Sequence, residues 1–219
     1  GPSAQRADGP IWVFGLGQHM DNGFVVGKNT QFGKQGMPPM VKAIGMRRDQ
    51  MNNELKLVKI GLGLVVFGLL FGVVMGMTFG INEDLFKNYI TEGIAANPTV
   101  HDAKSPDKIW RYAQRAHFHA TGIAAFALGL VFLVMFSDLK PKMKTVSSFL
   151  LGLSSFYPLA WLTMYILAPS LGRGAAHSHI VTETFASVGV GGLLLGCFLV
   201  LGNVFLGLFQ EKTESPSSA

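Results

Sequence analysis

The chain has 219 residues, of which 49% are hydrophobic and only 14% are charged, and its formal net charge is +5. Soluble domains average about 25% charged residues, so this composition indicates a membrane protein. The single cysteine, Cys197, excludes an internal disulfide, an iron–sulfur quartet and a CxxCH haem-attachment motif. The positive charge is modest and lies beside apolar runs, so we expect no nucleic-acid partner.

The apolar residues fall into four blocks, at 57–80, 120–136, 146–168 and 181–209. A bilayer core requires roughly 20 apolar residues per spanning helix, and a backbone in lipid must satisfy its own hydrogen bonds. We therefore predict an all-α, integral membrane four-helix bundle over residues 51–210, with the lipid bilayer as its surroundings.

A Gly-, Met- and Asn-rich segment without clear periodicity precedes the bundle and is predicted to be a mostly irregular, cytoplasmic arm over residues 1–50. The opening Gly1-Pro2 resembles the remnant of a protease cleavage site, which leaves the origin of the residues before Met20 open. A polar tail over residues 211–219 follows the last apolar block.

Basic residues concentrate before span one and between spans two and three, at Lys140, Lys142 and Lys144, whereas the connection after span three carries only Arg173. The connection between spans one and two also carries five basic residues, but acidic residues accompany them. The positive-inside rule then places both termini in the cytoplasm. A bacterial inner membrane is the expected location.

Two local signals concern the helix boundaries. Ser105 and Pro106 are typical of an N-cap and a first helical position, so helix two is predicted to begin there, before the membrane. Pro158 lies within the third apolar block and predicts a kink in that span.

Span one carries glycines at Gly68, Gly72, Gly76 and Gly80, each four residues from the next. Such a ridge of small residues predicts close approach of another surface. The pattern leaves open whether that surface is a neighbouring helix, a flat cofactor, another membrane subunit or a second copy of the chain.

Four of the six histidines occur in two similar stretches, "RAHFHATG" with His117 and His119, and "AAHSHIVT" with His177 and His179. Residues two apart on a helix point about 200° away from each other, so one histidine of each pair is predicted to face inward. Neutral imidazole binds haem iron, zinc and copper. One histidine from each of two parallel helices could therefore hold a haem.

Charged residues near the pairs extend this hypothesis. Arg111, Arg115 and Arg173 supply cations for haem propionates, and Glu183 lies one turn after His179, where it could orient that histidine. A copper or zinc site would instead use three or four of the histidines, with Glu183 or Asp102. Histidines that sit at the interface and bind nothing are the remaining alternative.

The lengths of the spans raise a question about height. At about 1.5 Å per residue, His117 lies roughly 30 Å from the cytoplasmic end of span two, whereas His177 lies nearly 50 Å from the end of span four. If those ends align, the two pairs sit at different depths.

The stretch "RAHFHATGIAAFALG" resembles the histidine-bearing second helix of haem–copper oxidase subunit I, and is closer to the small four-helix membrane proteins related to it. "AAHSHIVTETFASVG" is similar to a later histidine-bearing helix of such relatives. The resemblance implies a b-type haem held by one histidine of each pair. The chain has too few spans and histidines for a complete oxidase, so oxygen reduction is not implied.

These observations predict an integral membrane b-type haem protein that acts in electron transfer or in redox or gas sensing. We expect it to be a subunit of a larger membrane complex and not to be catalytic on its own. A copper- or zinc-binding accessory protein and a purely structural subunit are the alternatives.

Overall fold

The computed structural model of the chain describes residues 39–211, with side chains from Met46 onward. Within this part the chain forms seven α-helices: α1 Pro39–Ile81, α2 Asp84–Ala96, α3 Ser105–Phe136, α4 Pro141–Leu153, α5 Tyr157–Leu171, α6 Arg173–His177 and α7 Ile180–Leu206. Short 3₁₀ turns at Pro98–Val100 and Ser154–Phe156 complete them. The only extended pairing among the described residues is a bridge between Leu139 and Gln210. The predicted all-α class is confirmed.

Four stretches of helix are long and apolar enough to cross a membrane: Met46–Ile81, Ser105–Phe136, Pro141–Leu171 and Ile180–Leu206. They correspond to the four predicted spans, and the protein is an integral membrane four-helix bundle. A helix of 32 residues such as α3 is about 48 Å long. Because the hydrocarbon core is about 30 Å thick, the first turns of α3 lie beyond it.

Helix α1 begins at Pro39, so its first turns occupy the end of the segment that the sequence assigned to the arm. Residues 46–56 are mostly good helix formers and lack glycine and proline, which explains the early start. Residues 1–38 of the predicted arm and the tail after Glu211 lie outside the described residues.

The third span is broken where the proline predicts it. α4 ends at Leu153, a 3₁₀ turn covers Ser154–Phe156, and α5 starts at Tyr157, just before Pro158. A proline has no N–H and clashes with the carbonyl four residues earlier, which here belongs to Ser154. The predicted kink is confirmed.

The start of α3 differs from the prediction in one respect. The helix begins at Ser105, but the Ser105 hydroxyl donates to Asp102 Oδ1 at 2.8 Å and makes no bond to a helix N–H. Asp102 Oδ1 also accepts the Lys104 N–H at 3.1 Å. Ser105 as N-cap is therefore wrong, because its hydroxyl holds the preceding turn.

Helix α2 was not predicted. It lies in the connection between the first two spans and packs on α3 and α5, with Ile90 buried. The Tyr89 hydroxyl donates to the Ile166 carbonyl at 2.7 Å, and the Tyr165 hydroxyl donates to the Phe86 carbonyl at 3.2 Å. These bonds attach α2 to the third span at the end of the bundle that contains Ser105, called here the Ser105 end.

Three glycines of the ridge pack against helices of the same chain. A Cβ atom would lie 2.6 Å from Ser155 Oγ at Gly68, 2.7 Å from Thr121 Cγ2 at Gly72 and 2.6 Å from His117 Cε1 at Gly76. At Gly80 it would meet no atom within 4 Å. The ridge thus brings α1 close to α3 and to the kink of the third span.

Candidate functional site

His117 lies half-buried between α3 and α1. Its Nδ1 donates to the Gly72 carbonyl oxygen at 2.8 Å, and its ring meets the edge of Phe79 with centroids 5.7 Å apart. The ring also covers Gly76, where a Cβ atom would be 3.3 Å from Nε2. This close packing leaves no gap for a flat macrocycle between His117 and α1, so His117 joins the two helices.

His119 faces a different neighbour, the third span. Its Nδ1 donates to the Arg115 carbonyl oxygen at 2.9 Å, and its ring centroid is 5.2 Å from that of Tyr157 and 5.7 Å from that of Trp161. Since Nδ1 carries the proton, Nε2 keeps its lone pair. The first pair is therefore divided across its helix, as predicted.

The second pair is arranged differently. His177 is the exposed last residue of α6, and His179 precedes α7, where its Nδ1 accepts the Val181 N–H at 3.3 Å. The predicted 200° division is wrong here, because the backbone of His179 is extended between two helices. While His179 caps α7, the lone pair of Nδ1 is engaged and Nε2 carries the proton of the neutral ring.

The two pairs lie at different depths, which answers the question that the span lengths left open. The ring of Tyr157 lies against His119, tilted by 52°, and the backbone of Tyr157 packs against Gly189. Gly189 is ten residues along α7 from His179, which corresponds to about 15 Å. His119 is therefore about 15 Å deeper in the bundle than His179.

A second set of contacts gives the same order. Ala176, next to His177, belongs to a buried cluster with Ile109 and Ala113 of α3. His119 follows Ala113 by six residues, or about 9 Å. The described structure does not bring the two pairs to a common ligand.

A metal site with three protein ligands is not assembled either. Residues 46–211 contain no group of three or more His, Cys, Asp and Glu side chains that could hold an ion. Glu183 is exposed in the first turn of α7, and its N–H bonds the His179 carbonyl at 3.0 Å. The carboxylate position is explained by the helix dipole, which favours acids in a first turn.

Two of the three predicted cations lie near His119. Arg111 and Arg115, together with Lys108 and Tyr112, line a cavity of about 180 Å³. The guanidinium carbon of Arg115 is 4.7 Å from the centre of the Trp161 ring. Lys108, Arg111 and Arg115 precede His119 on α3 at successive intervals of three and four residues, so they form one stripe that ends at the histidine.

Arg173, the third predicted cation, belongs to an ion pair. It pairs with Asp102 at 2.9 Å and joins the connection before α3 to the start of α6. The hydrogen bond from Ser105 lowers the pKa of Asp102 below its ordinary value of 3.8, desolvation acts in the opposite direction, and the charge of Arg173 lowers the pKa further. Arg173 is thus a structural cation in this arrangement.

Sequence reasoning did not find Tyr157 and Trp161 as neighbours of His119. The Trp161 Nε1–H is buried and has no hydrogen-bond partner among the described residues. Both residues follow the kink in the third span, and no spacing in the sequence relates them to α3.

We compared the chain with protein-family models, with curated proteins and with solved structures, and none of the three comparisons gave a match. The resemblance to relatives of haem–copper oxidase subunit I therefore stays a prediction.

Proposed function

We propose that the chain is a membrane b-type haem protein in which His119, on the face formed by α3 and α5, would hold the haem. The observation that carries the proposal is the bond from His119 Nδ1–H to the Arg115 carbonyl, 2.9 Å long. Metal-ligating histidines usually donate their other ring N–H in this way, which orients the ring and makes Nε2 the ligand atom.

The neighbouring residues suit such a group. Arg115 and Arg111 precede His119 by four and eight residues on α3, or about 6 and 12 Å toward the Ser105 end. Guanidinium groups form strong, charge-assisted hydrogen bonds with carboxylates, so these two arginines would hold the propionates. Tyr157 and Trp161 fix the histidine ring from the side of α5.

The difference in depth between His119 and the second histidine pair bears on the function of the haem. Because His177 and His179 lie about 9 to 15 Å closer to the Ser105 end, His119 would be the one histidine of the two pairs that holds the haem. The haem would supply one-electron chemistry and, when held by a single histidine, would also bind diatomic gases. Among the expected roles, we therefore favour redox or gas sensing over electron transfer by a haem that two histidines hold.

The exposed surface supports a place in a larger assembly. Arg111 and Arg115 are exposed, and Phe118, next to His119, is 62% exposed. A haem on this face would be covered by lipid or by another membrane subunit. We propose the second.

For location we propose a bacterial inner membrane with both termini in the cytoplasm. The support is the distribution of charge, because Lys140, in the connection between α3 and α4, and Lys142, in the first turn of α4, are both exposed. The opposite connection between the third and fourth spans has the single basic residue Arg173, which is already paired with Asp102.

The test is a visible spectrum of detergent-purified protein made with added haem, recorded oxidised, reduced and with carbon monoxide. We expect a Soret band that shifts with carbon monoxide, and its loss in His119→Ala. His177→Ala is the matched control, since His177 is exposed and far from His119. The proposal fails if the wild type shows no Soret band or if His177→Ala loses it equally.

Metal analysis of the same sample separates the alternatives. Copper or zinc near one atom per chain, without iron, would support the accessory-protein hypothesis. If neither haem nor metal is found and the four histidines can become alanine without loss of assembly, the chain is a structural subunit.

A further inference from the structure

Lys108, Arg111 and Arg115 form a cationic stripe along one face of α3. Their spacing of three and four residues places them on neighbouring turns of the same side. With Tyr112 they enclose a cavity of about 180 Å³ that opens at the protein surface. The cations therefore converge on a small space.

The stripe lies at the depth of lipid headgroups. The part of α3 without Asp, Glu, Lys or Arg runs from residue 116 to Phe136, about 31 Å, which matches the thickness of a hydrocarbon core. Arg115 is then at its boundary, with Arg111 and Lys108 about 6 and 10 Å farther out. Trp110, Tyr112 and Trp161 accompany them, as aromatic residues do at membrane interfaces.

The charges of the stripe are not neutralised within the described part of the chain. The ion pairs found there join Lys87 to Glu83, Lys144 to Glu54 and Arg173 to Asp102. Asp107 lies one turn from Arg111 but is not a member of these pairs. The flat guanidinium of Arg115 lies 4.7 Å from the centre of the Trp161 ring, which restricts its position.

We infer that in the haem-free chain this stripe binds the phosphate of an anionic phospholipid headgroup. Three cations around a small cavity suit a phosphate, and arginine binds phosphate through two parallel hydrogen bonds. The lipid would leave its acyl chains along the exposed face of α3. The inference goes beyond the haem proposal and does not depend on it, since lipid and propionate are alternative occupants of the same cations.

The test uses haem-free protein in mixed micelles with phosphatidylglycerol or phosphatidylcholine, and native mass spectrometry measures the lipid that stays bound. We expect the wild type to retain phosphatidylglycerol preferentially. Arg111→Gln/Arg115→Gln should weaken this retention roughly tenfold or more, because each cation near the surface contributes to anionic-lipid binding. Lys87→Gln is the matched control, a cation of the same end that is paired with Glu83, and should retain the lipid.

Equal retention of the two lipids by the wild type, or unchanged retention by the double variant, overturns the inference. Displacement of the lipid by inorganic phosphate assigns the stripe to a free anion instead. If the double variant no longer binds haem when haem is added but still retains phosphatidylglycerol, the arginines bind the haem propionates and not the lipid. Circular dichroism checks that each variant is folded, and Lys108→Gln, on the first turns of α3, provides a second variant with a smaller expected loss.

Discussion

His117 donates a hydrogen bond of 2.8 Å from Nδ1 to the carbonyl oxygen of Gly72, so a histidine of α3 is bonded to the backbone of α1. The bond is possible because the glycine ridge lets the two helices come close together. One of the four paired histidines is thereby explained by packing, which separates its role from that of His119.

The first prediction concerns this contact. Gly76→Ala would place a methyl group 2.6 Å from His117 Cε1, and overpacking of this kind costs about 1–3 kcal/mol. Gly80→Ala is the control, since nothing lies within 4 Å there; it should be neutral or stabilise by up to about 1 kcal/mol. Thermal unfolding in detergent measures both. If Gly76→Ala and Gly80→Ala changed the melting temperature equally, His117 would not pack against Gly76.

A second prediction concerns the ion pair between Lys144 and Glu54, 2.6 Å long, with Lys144 almost fully buried. Glu54→Gln leaves a buried ammonium without its counter-ion and should destabilise the fold by about 2 kcal/mol. Adding Lys144→Met should recover part of that loss, because the unpaired charge is gone. Lys87→Met breaks an exposed pair and should change stability by less than about 1 kcal/mol. If the effects of Glu54→Gln and Lys144→Met on the free energy of unfolding are strictly additive, the two side chains are not coupled and the prediction is wrong.

The third prediction is a pH dependence. The Ser105 hydroxyl and Arg173 hold the pKa of Asp102 below 3.8 in the folded chain. Asp102 therefore contributes stability above that ordinary value, and the contribution is lost as the pH falls below 3.8 through the folded pKa. The difference in melting temperature between the wild type and Asp102→Asn should shrink over that interval. Ser105→Ala should reduce the difference more than Arg173→Gln, and a difference independent of pH would reject the argument.

A fourth prediction separates capping from ligation at His179. His179→Ala removes the acceptor for the Val181 N–H, and loss of an N-cap costs about 1 kcal/mol. His179→Asp restores an acceptor but not an imidazole. Hydrogen exchange of the first turn of α7 should therefore quicken in the alanine variant and return to normal in the aspartate variant, while the Soret band is the same in all three. A Soret band lost in both variants would make His179 a ligand.

The proposed orientation leads to a fifth prediction. In a Cys197→Ala background, exposed Glu92 and Lys142 lie at opposite ends of the bundle and can each be replaced by cysteine. A membrane-impermeant maleimide added to intact cells should label Glu92→Cys and should reach Lys142→Cys only after lysis. The reverse pattern would invert the topology.

The sequence was sufficient for the membrane architecture because lipid permits few alternatives. Apolar blocks of the right length must be helices in a bilayer, and all four spans follow from that requirement. Pro158 interrupts its helix for a steric reason that acts within a few residues. Counting residues along the spans raised the question of unequal histidine depths but left it open, because the sequence does not show whether the ends of the spans align.

The sequence did not predict helix α2 or the neighbour that each histidine side chain faces. α2 is short, and its position depends on bonds from Tyr89 and Tyr165 to backbone groups far away in the sequence. Gly172 ends α5 with a φ of +80°. A second break, after His177 at the end of α6, places His179 before α7 and so separates the two histidines.

By itself the sequence determined four spans and the position of a kink, since these depend on local chemistry and on length. Only the tertiary structure decided that His117 packs on a glycine, that His179 caps a helix and that His119 lies beside Arg115 and Trp161. The reason is that the rotation of each helix about its own axis depends on its neighbours, and those neighbours are distant in the chain.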